Sequence, residues 1–286
     1  MRDNYLLYKL GQSIALAVPP RIGYRIATFI SDVRYIVARK DRRAVTDNLK
    51  AIFPDMPERE IRRIRIRVFR NFAKYLFDFF RFSKIDLDYI KKNIKIENIH
   101  YFDEALAKGK GVIALTGHLG NWELGAVMIA LLGYPLWVVA LEHQDKKVND
   151  FFVEQRQSKG IKLMFLGKAA RQCLRVLKEN KILALAGDRD FTEKGVVVEF
   201  FGKNALLPLG PAAFSLTTGA LIVPGFMMRN SDDSFTMKVE KPIIFSPTGD
   251  KEKDRAALMR KYVEVFEGYI RRYPDQWYMF RRFWIS

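Results

Sequence analysis

The sequence is poor in the residues that most often carry chemistry. Among 286 residues there is one cysteine, Cys173, and there are three histidines. A single cysteine excludes an intrachain disulfide and fits a compartment where thiols stay reduced. Its place in an expected helix marks it as a small core residue. The histidines and the cysteine share no ligand spacing, so no metal is expected. No Gly-x-Ser-x-Gly elbow is present, and no phosphate-binding glycine loop follows a strand, which removes the serine-hydrolase and nucleotide-dependent classes. Lys108-Gly-Lys-Gly111 precedes its strand and reads as a turn. Long apolar runs are missing as well. Tyr5 to Val18 is interrupted by Lys9 and stopped by Pro19-Pro20, short of the ~20 residues a spanning helix needs. A cleaved leader is the rival reading, since Ala15-Leu-Ala17 imitates a cleavage site, but Asp3 and Lys9 oppose it.

Positive charge, by contrast, is abundant. The formal net charge is +17, and residues 1–84 hold 19 Lys/Arg against 8 Asp/Glu, so +11 of it sits in less than the first third. Such a balance calls for a polyanionic partner, nucleic acid or an anionic membrane surface. Here the basic residues are interleaved with Leu, Ile, Phe and Tyr, and no nucleic-acid module is recognisable. That mixture describes an interfacial membrane surface, with no nucleic acid as partner. Arg21 to Arg39 reads as a helix with Ile22, Ile26, Phe29, Ile30, Val33 and Val37 on one stripe and Arg21, Arg25, Arg34 and Arg39 facing away. A long helix starts at Asp55-Met-Pro57-Glu58 and surrounds Ile61, Ile64 and Val68 with six arginines. It fits a core helix with a solvated arginine face; together with the N-terminus it better fits a lipid-facing surface. Residues 85–110 read as a connecting segment ending in a helix over 99–108.

From Gly111 strands and helices alternate. Strands are expected at 112–116, 135–140, 161–166 and 182–187, with helices at 121–132, 145–158 and 168–179 between them; then a strand-pair region at 195–201, a helix opened by Gly210-Pro211, strands at 220–228 and 235–244, and a helix over 250–272. Successive βα units of this kind predict an α/β fold, a mostly parallel central sheet with helices on both faces, preceded by an N-terminal helical, membrane-facing region. The expected division is an amphipathic membrane-associating arm over 1–40 and a single α/β domain over 41–286.

The most informative stretch is Gly111-Val-Ile-Ala-Leu-Thr-Gly-His-Leu-Gly-Asn-Trp-Glu123. A short apolar run flanked by glycines is the signature of a strand covered on both faces, and ligands of parallel sheets bind beyond the carboxyl ends of such strands. His118 falls at that end, with Glu123 five residues on in the first turn of a helix. A neutral imidazole can take a proton from an attacking hydroxyl when a carboxylate holds its other nitrogen. Gly117 and Gly120 allow a sharp turn, and Asn121 can cap the helix while its amide or the turn N–H groups face an oxyanion. The same spacing also fits a histidine capping an ordinary βα loop. A second constellation, Gly187-Asp188-Arg189-Asp190, again ends an apolar strand; it can orient a substrate, bind a metal or salt-bridge a loop. Arg156, near a helix end, fits either a phosphate ligand or a helix-terminal cation. The aromatic-basic cluster Trp277, Tyr278, Phe280, Arg281, Arg282, Phe283, Trp284 fits interfacial anchoring or core closure alike.

Gly117-His-Leu-Gly-Asn-Trp-Glu123 also resembles the His-x4-Asp/Glu block of the glycerolipid acyltransferase superfamily, in the form carried by the lipid A biosynthesis (lauroyl/myristoyl) acyltransferases. Asn48-Leu-x-x-Ile-Phe-Pro54, Arg156-x3-Gly160, Gly187-Asp-Arg-Asp190, Phe200-Phe-Gly202 and Gly210-Pro-Ala212 fall in family order. One block departs: Trp277-Tyr-Met-Phe-Arg-Arg-Phe-Trp284 lacks the expected His and is closer to the phosphatidylinositol mannoside acyltransferases. The resemblance implies a membrane-associated O-acyltransferase that moves a fatty acyl chain from a thioester of acyl carrier protein or coenzyme A to a hydroxyl of an anionic glycolipid, without a cofactor. The acceptor is a lipid A precursor or, alternatively, a phosphatidylinositol mannoside or similar glycolipid. The implied roles are His118 as base, Glu123 orienting it, Gly120 and Asn121 at the oxyanion, and Arg156, Asp188, Arg189 and Asp190 on the substrate. The implied place is the cytoplasmic face of the inner membrane, peripheral or monotopic. The non-enzymatic alternative is a basic membrane- or nucleic-acid-binding protein.

Overall fold

In the computed structural model of the chain, residues 5–167, 169–191 and 195–285 are described. The first four residues of the expected arm, the start of the helix expected at 168 and the last residue of the expected domain lie outside them. Four helices come first: α1 (Tyr5–Ala17), α2 (Pro20–Val37), α3 (Arg39–Ile52) and α4 (Glu58–Phe80). Then follow α5 (Leu87–Asn93), β1 (Ile94–Glu97), α6 (His100–Leu106), β2 (Val112–Thr116), α7 (Trp122–Leu131), β3 (Leu136–Ala140), α8 (Lys146–Gln157), β4 (Lys162–Phe165), α9 (Ala170–Lys178) and β5 (Ile182–Ala186). The chain closes with β6 (Val196–Phe200), β7 (Lys203–Leu207), α10 (Gly210–Thr218), β8 (Leu221–Arg229), β9 (Phe235–Val239) and α11 (Lys251–Arg272).

Seven strands form one sheet in the order β1-β9-β8-β2-β5-β3-β4. All neighbours are parallel except β8 and β9. The α/β class with a mostly parallel sheet is therefore what the alternation of strands and helices predicted. Period-two alternation sorts the core: Val112 and Ala114 of β2 face one side with α6, α7 and α8, while Ile113 and Leu115 face the other with α9, α10 and α11. Cys173 is one of the buried residues of the second layer, and burial pushes its thiol up to about 11, so it is an inert core side chain.

Four features differ from the expected pattern. The helix expected over Arg21 to Arg39 ends at Val37, and Arg39 opens a separate helix, α3, that was not expected. The connecting segment contains α5 and the four-residue β1, which pairs parallel with β9 at the sheet edge; Ile94-Lys-Ile-Glu97 is too short for its alternation to stand out. The strand-pair region is a hairpin, β6–β7, outside the main sheet, turned by Phe201 and Gly202, both at positive φ as two-residue hairpin turns require. β9 ends at Val239, before Pro242.

The N-terminal helices pack on α4 through small residues. A Cβ on Gly23 would meet the Phe77 ring at 2.0 Å, and Ala15, Tyr24 and Phe77 form a buried cluster. The apolar stripe of α2 points the other way: Phe29 is 69% exposed and Ile36 70%, with Leu6 and Leu7 of α1 equally open. α4 itself is a core helix, with Ile61, Val68 and Phe79 fully buried, while Arg70 pairs with Asp32 of α2 at 2.8 Å and Arg65 donates to the Tyr35 hydroxyl at 2.9 Å. Among the described residues no helix is long and apolar enough to cross a membrane.

Candidate active site

The parallel register of the two central strands builds the site. β2 and β5 pair with Thr116 opposite Ala186, so Gly117-His118 and Gly187-Asp188 leave the sheet side by side at its carboxyl edge. The Asp188 carboxylate then accepts twice from His118. Its Oδ1 lies 2.8 Å from Nδ1, and its Oδ2 accepts the His118 backbone N–H at 2.9 Å. The indole N–H of Trp277 adds a third bond to Oδ2 at 3.1 Å. A carboxylate only accepts, so Nδ1 carries a proton, and whenever the ring is neutral the lone pair lies on Nε2. Burial acts to raise the Asp188 carboxyl, but the His118 ring and these hydrogen bonds outweigh it and hold the group below the usual carboxylate range. Side-chain exposure is 18% for His118 against 1% for Asp188, the difference expected between a group that meets substrate and one that supports it.

This corrects the role expected of Glu123. Its carboxylate faces the guanidinium fork of Arg156, with Arg156 Nε donating to Oε2 at 2.9 Å and Nη2 to Oε1 at 2.6 Å, and both side chains are largely buried. Five residues along a turn and a helix carry the side chain past the imidazole toward α8. Burial opposes the charge on Arg156, yet the adjacent Glu123 carboxylate raises its pKa. Two of the three nitrogens that made Arg156 a phosphate candidate are spent on Glu123.

The oxyanion assignment is also corrected. The Gly120 N–H donates to the Gln276 carbonyl at 2.9 Å and the Asn121 N–H to the Met227 carbonyl at 2.7 Å. The Asn121 side chain is consumed too: Oδ1 accepts from the Leu124 N–H at 3.1 Å, capping α7, and Nδ2 donates to Asp78 Oδ2 at 3.0 Å. Gly120 is glycine for a packing reason, since its φ is +64° and a Cβ there would stand 2.1 Å from the Met227 carbonyl oxygen.

Of the Gly187–Asp190 segment, Arg189 lies beside the pair. Its guanidinium stacks 4.3 Å from the centroid of Phe191, whose ring is 5.9 Å from that of His118. Arg281 approaches the same ring at 5.8 Å and donates to the Asp190 carbonyl at 2.9 Å. Burial and then the charge of Arg281 lower the Arg189 pKa, and its Nε is buried without a hydrogen-bond partner among the described residues. Asp190 is itself buried. On another side, Trp122 meets the His118 ring edge-on at 5.1 Å and stacks on Tyr75 at 4.4 Å.

Trp277 and Arg281 were not identified as site residues in the sequence. The C-terminal aromatic cluster resolves as core closure: Trp277, Tyr278, Met279 and Phe283 are buried. Asn48 of α3 clamps the segment, donating to the Met279 and Arg281 carbonyls and accepting from the Phe283 N–H. For Asp188 a signal did exist in the sequence. Leu115-Thr-Gly-His118 and Leu185-Ala-Gly-Asp188 have one pattern, an apolar strand ending in glycine and one ionisable residue, and adjacent parallel strands bring such ends together.

Comparison with known proteins adds what geometry cannot. Residues 4–286 match the sequence model described as bacterial lipid A biosynthesis acyltransferase. The chain is similar to phosphatidylinositol mannoside acyltransferase of Mycolicibacterium smegmatis, 26% identical over 98% of this chain and 90% of that one. It is also similar to lipid A biosynthesis lauroyltransferase of Escherichia coli, 22% identical over 99% and 93%, and to a lipid A biosynthesis acyltransferase of Haemophilus influenzae, 23% identical over 84% and 74%. A non-enzymatic binding role is thereby set aside: the chain belongs to the bacterial lipid A biosynthesis acyltransferase family and is an acyltransferase.

Proposed function

We propose that the protein transfers a fatty acyl group from a thioester of acyl carrier protein or coenzyme A to a hydroxyl of an anionic glycolipid, using His118 and Asp188 as the proton-handling pair. The observation that carries the reading is the 2.8 Å contact between His118 Nδ1 and the buried Asp188 carboxylate at the carboxyl edge of the sheet. With Nδ1 engaged, Nε2 takes the proton of the acceptor hydroxyl as its oxygen attacks the thioester carbonyl carbon. Asp188 stabilises the imidazolium; the tetrahedral centre then collapses, the C–S bond breaks, and the imidazolium proton returns to the leaving sulfur. A thioester is already activated, so positioning the two reactants and moving this proton are the main tasks, and acid–base help of this kind contributes ~10²–10⁴-fold.

Arg189 and Arg281 supply positive charge beside that pair, which suits a phosphorylated acceptor. The names of the relatives favour two acceptor types, a phosphatidylinositol mannoside and a lipid A precursor. Such acceptors sit in a bilayer. The exposed apolar residues of α1 and α2, together with Lys9, Arg21 and Arg25, support an interfacial position on an anionic leaflet; the proposed place is the cytoplasmic face of the inner membrane.

The test is lipid mass spectrometry on purified protein with an acyl thioester and each acceptor presented in anionic vesicles. Wild type is expected to add one acyl chain to one of the two acceptor types, and His118→Ala to fall by at least ~10²-fold with an unchanged circular dichroism spectrum. Equal turnover of the two proteins refutes the assignment of the base.

A further inference from the structure

Behind the His118 turn, three elements converge on one buried carboxylate, Asp78 of α4. Tyr24 of α2 donates its hydroxyl to Oδ1 at 2.7 Å. Oδ2 accepts from the Asn121 amide at 3.0 Å and from Arg229 Nη2 of β8. Arg229 also lies over the Tyr24 ring, 4.8 Å from its centroid, and its backbone N–H and carbonyl are both taken by the Gln276 side chain. Tyr24, Asp78, Asn121 and Arg229 are all buried. Burial pushes the Asp78 carboxyl up even against the attraction of Arg229 and the Tyr24 hydrogen bond, so every donor on it counts.

A buried ion pair of this kind is a poor way to stabilise a fold, because apolar side chains of similar volume serve as well or better. What it does secure is orientation. With both ends of the Asn121 amide engaged, Oδ1 on the α7 cap and Nδ2 on Asp78, the side chain has one rotamer, and the entry of α7 three residues after His118 is fixed. One of the donors that holds the carboxylate comes from α2, the helix whose outer face is apolar and exposed.

We infer that Asp78 is a positioning residue for His118, and that Tyr24 makes that positioning depend on the seating of α2 against α4. The N-terminal helices thus complete the catalytic turn as well as face the bilayer. The inference rests on His118 being the base, as proposed above, and its test separates the two.

Tyr24→Phe keeps the ring over Arg229 and removes only the hydroxyl. Amide hydrogen exchange is measured across 119–125, together with kcat and acceptor KM on detergent-dispersed acceptor, where membrane binding plays no part. A core truncation elsewhere on α4, Ile61→Val, serves as the control for lost stability. In Tyr24→Phe, exchange in 119–125 is expected to rise and kcat to fall about tenfold with KM unchanged, while Ile61→Val moves neither after correction for folded fraction. Unchanged exchange in Tyr24→Phe, or a loss of kcat that Ile61→Val reproduces, overturns the inference. If exchange rises but turnover is kept, the outcome of His118→Ala decides: an inactive His118→Ala overturns the positioning role, and an active one refutes the base assignment and leaves the link between α2 and the turn in place.

Discussion

At the scale of single residues, the site depends on which carboxylate reaches an imidazole. Asp188 and Glu123 are both acids near His118 in space or sequence, yet one is held by the ring and an indole while the other is held by a guanidinium. Their substitutions therefore separate. Asp188→Asn removes the group that fixes the tautomer and offsets the imidazolium, and kcat is expected to drop ~10²–10⁴-fold. It also changes the acid limb of stability. Asp188 has a folded-state pKa below the ordinary ~3.9, so its contribution is complete above about pH 3.9 and is lost as the pH falls through the lower folded value. Urea unfolding at a series of pH values between 5 and 2 checks this. Wild-type stability is expected to decline more steeply than that of Asp188→Asn across the window, and parallel slopes would contradict the assigned interaction.

At the scale of elements, Glu123 and Arg156 tie the first turn of α7 to the last turn of α8 across the rim of the sheet. Breaking a buried pair by removing one partner typically costs about 3–5 kcal/mol, because the other charge is left without compensation. Arg156→Ala and Glu123→Gln are each expected to lose stability on that order in urea unfolding. Replacing both together with apolar residues of similar volume should return most of it. A role for Arg156 in acceptor binding predicts a different pattern, a raised acceptor KM with stability retained, and that measurement distinguishes the two. Aromatic contacts run from the same rim into the helical layer: His118 meets Trp122, Trp122 stacks on Tyr75, and Tyr75 lies against Tyr278 of the C-terminal segment.

At the scale of the whole molecule, one end of the chain is an exposed apolar and basic surface and the sheet edge carries the proposed reaction centre. Phe29 and Ile36 stand out from α2 largely exposed, so Phe29→Ser combined with Ile36→Ser should leave Tm unchanged and weaken sedimentation with anionic vesicles. Binding of the wild type should also fall at high salt, since exposed charges are screened over about 10 Å at 0.1 M ionic strength. Retained vesicle binding by the double variant would place the membrane surface elsewhere. Deleting residues 1–30 is a poorer experiment. It removes Ala15, Gly23 and Tyr24, which pack on α4, and so disturbs the core along with the surface.

Much of this was legible in the sequence, and the reasons are local. Apolar runs bounded by glycine gave the strands of the parallel sheet, Pro19-Pro20 marked the end of the first apolar run, and Pro57 and Gly210-Pro211 marked helix starts, because dihedral preference and side-chain period act within a few residues. His118 was identifiable from its strand end, and the charge of the first third pointed to an anionic surface. The partners were not. Glu123 is five residues from His118 along the chain and Asp188 is 70 away, yet the parallel pairing of β2 with β5, set by burial of both strand faces, puts Asp188 on the ring and leaves Glu123 to α8. The same long-range packing spends the Gly120 and Asn121 N–H groups on neighbouring carbonyls and buries Trp277 against the carboxylate. Sequence determined which groups were available and on which elements they lay; register and burial decided which of them meet, because hydrogen bonds in a dry interior go to the nearest competent partner in space, however far apart along the chain.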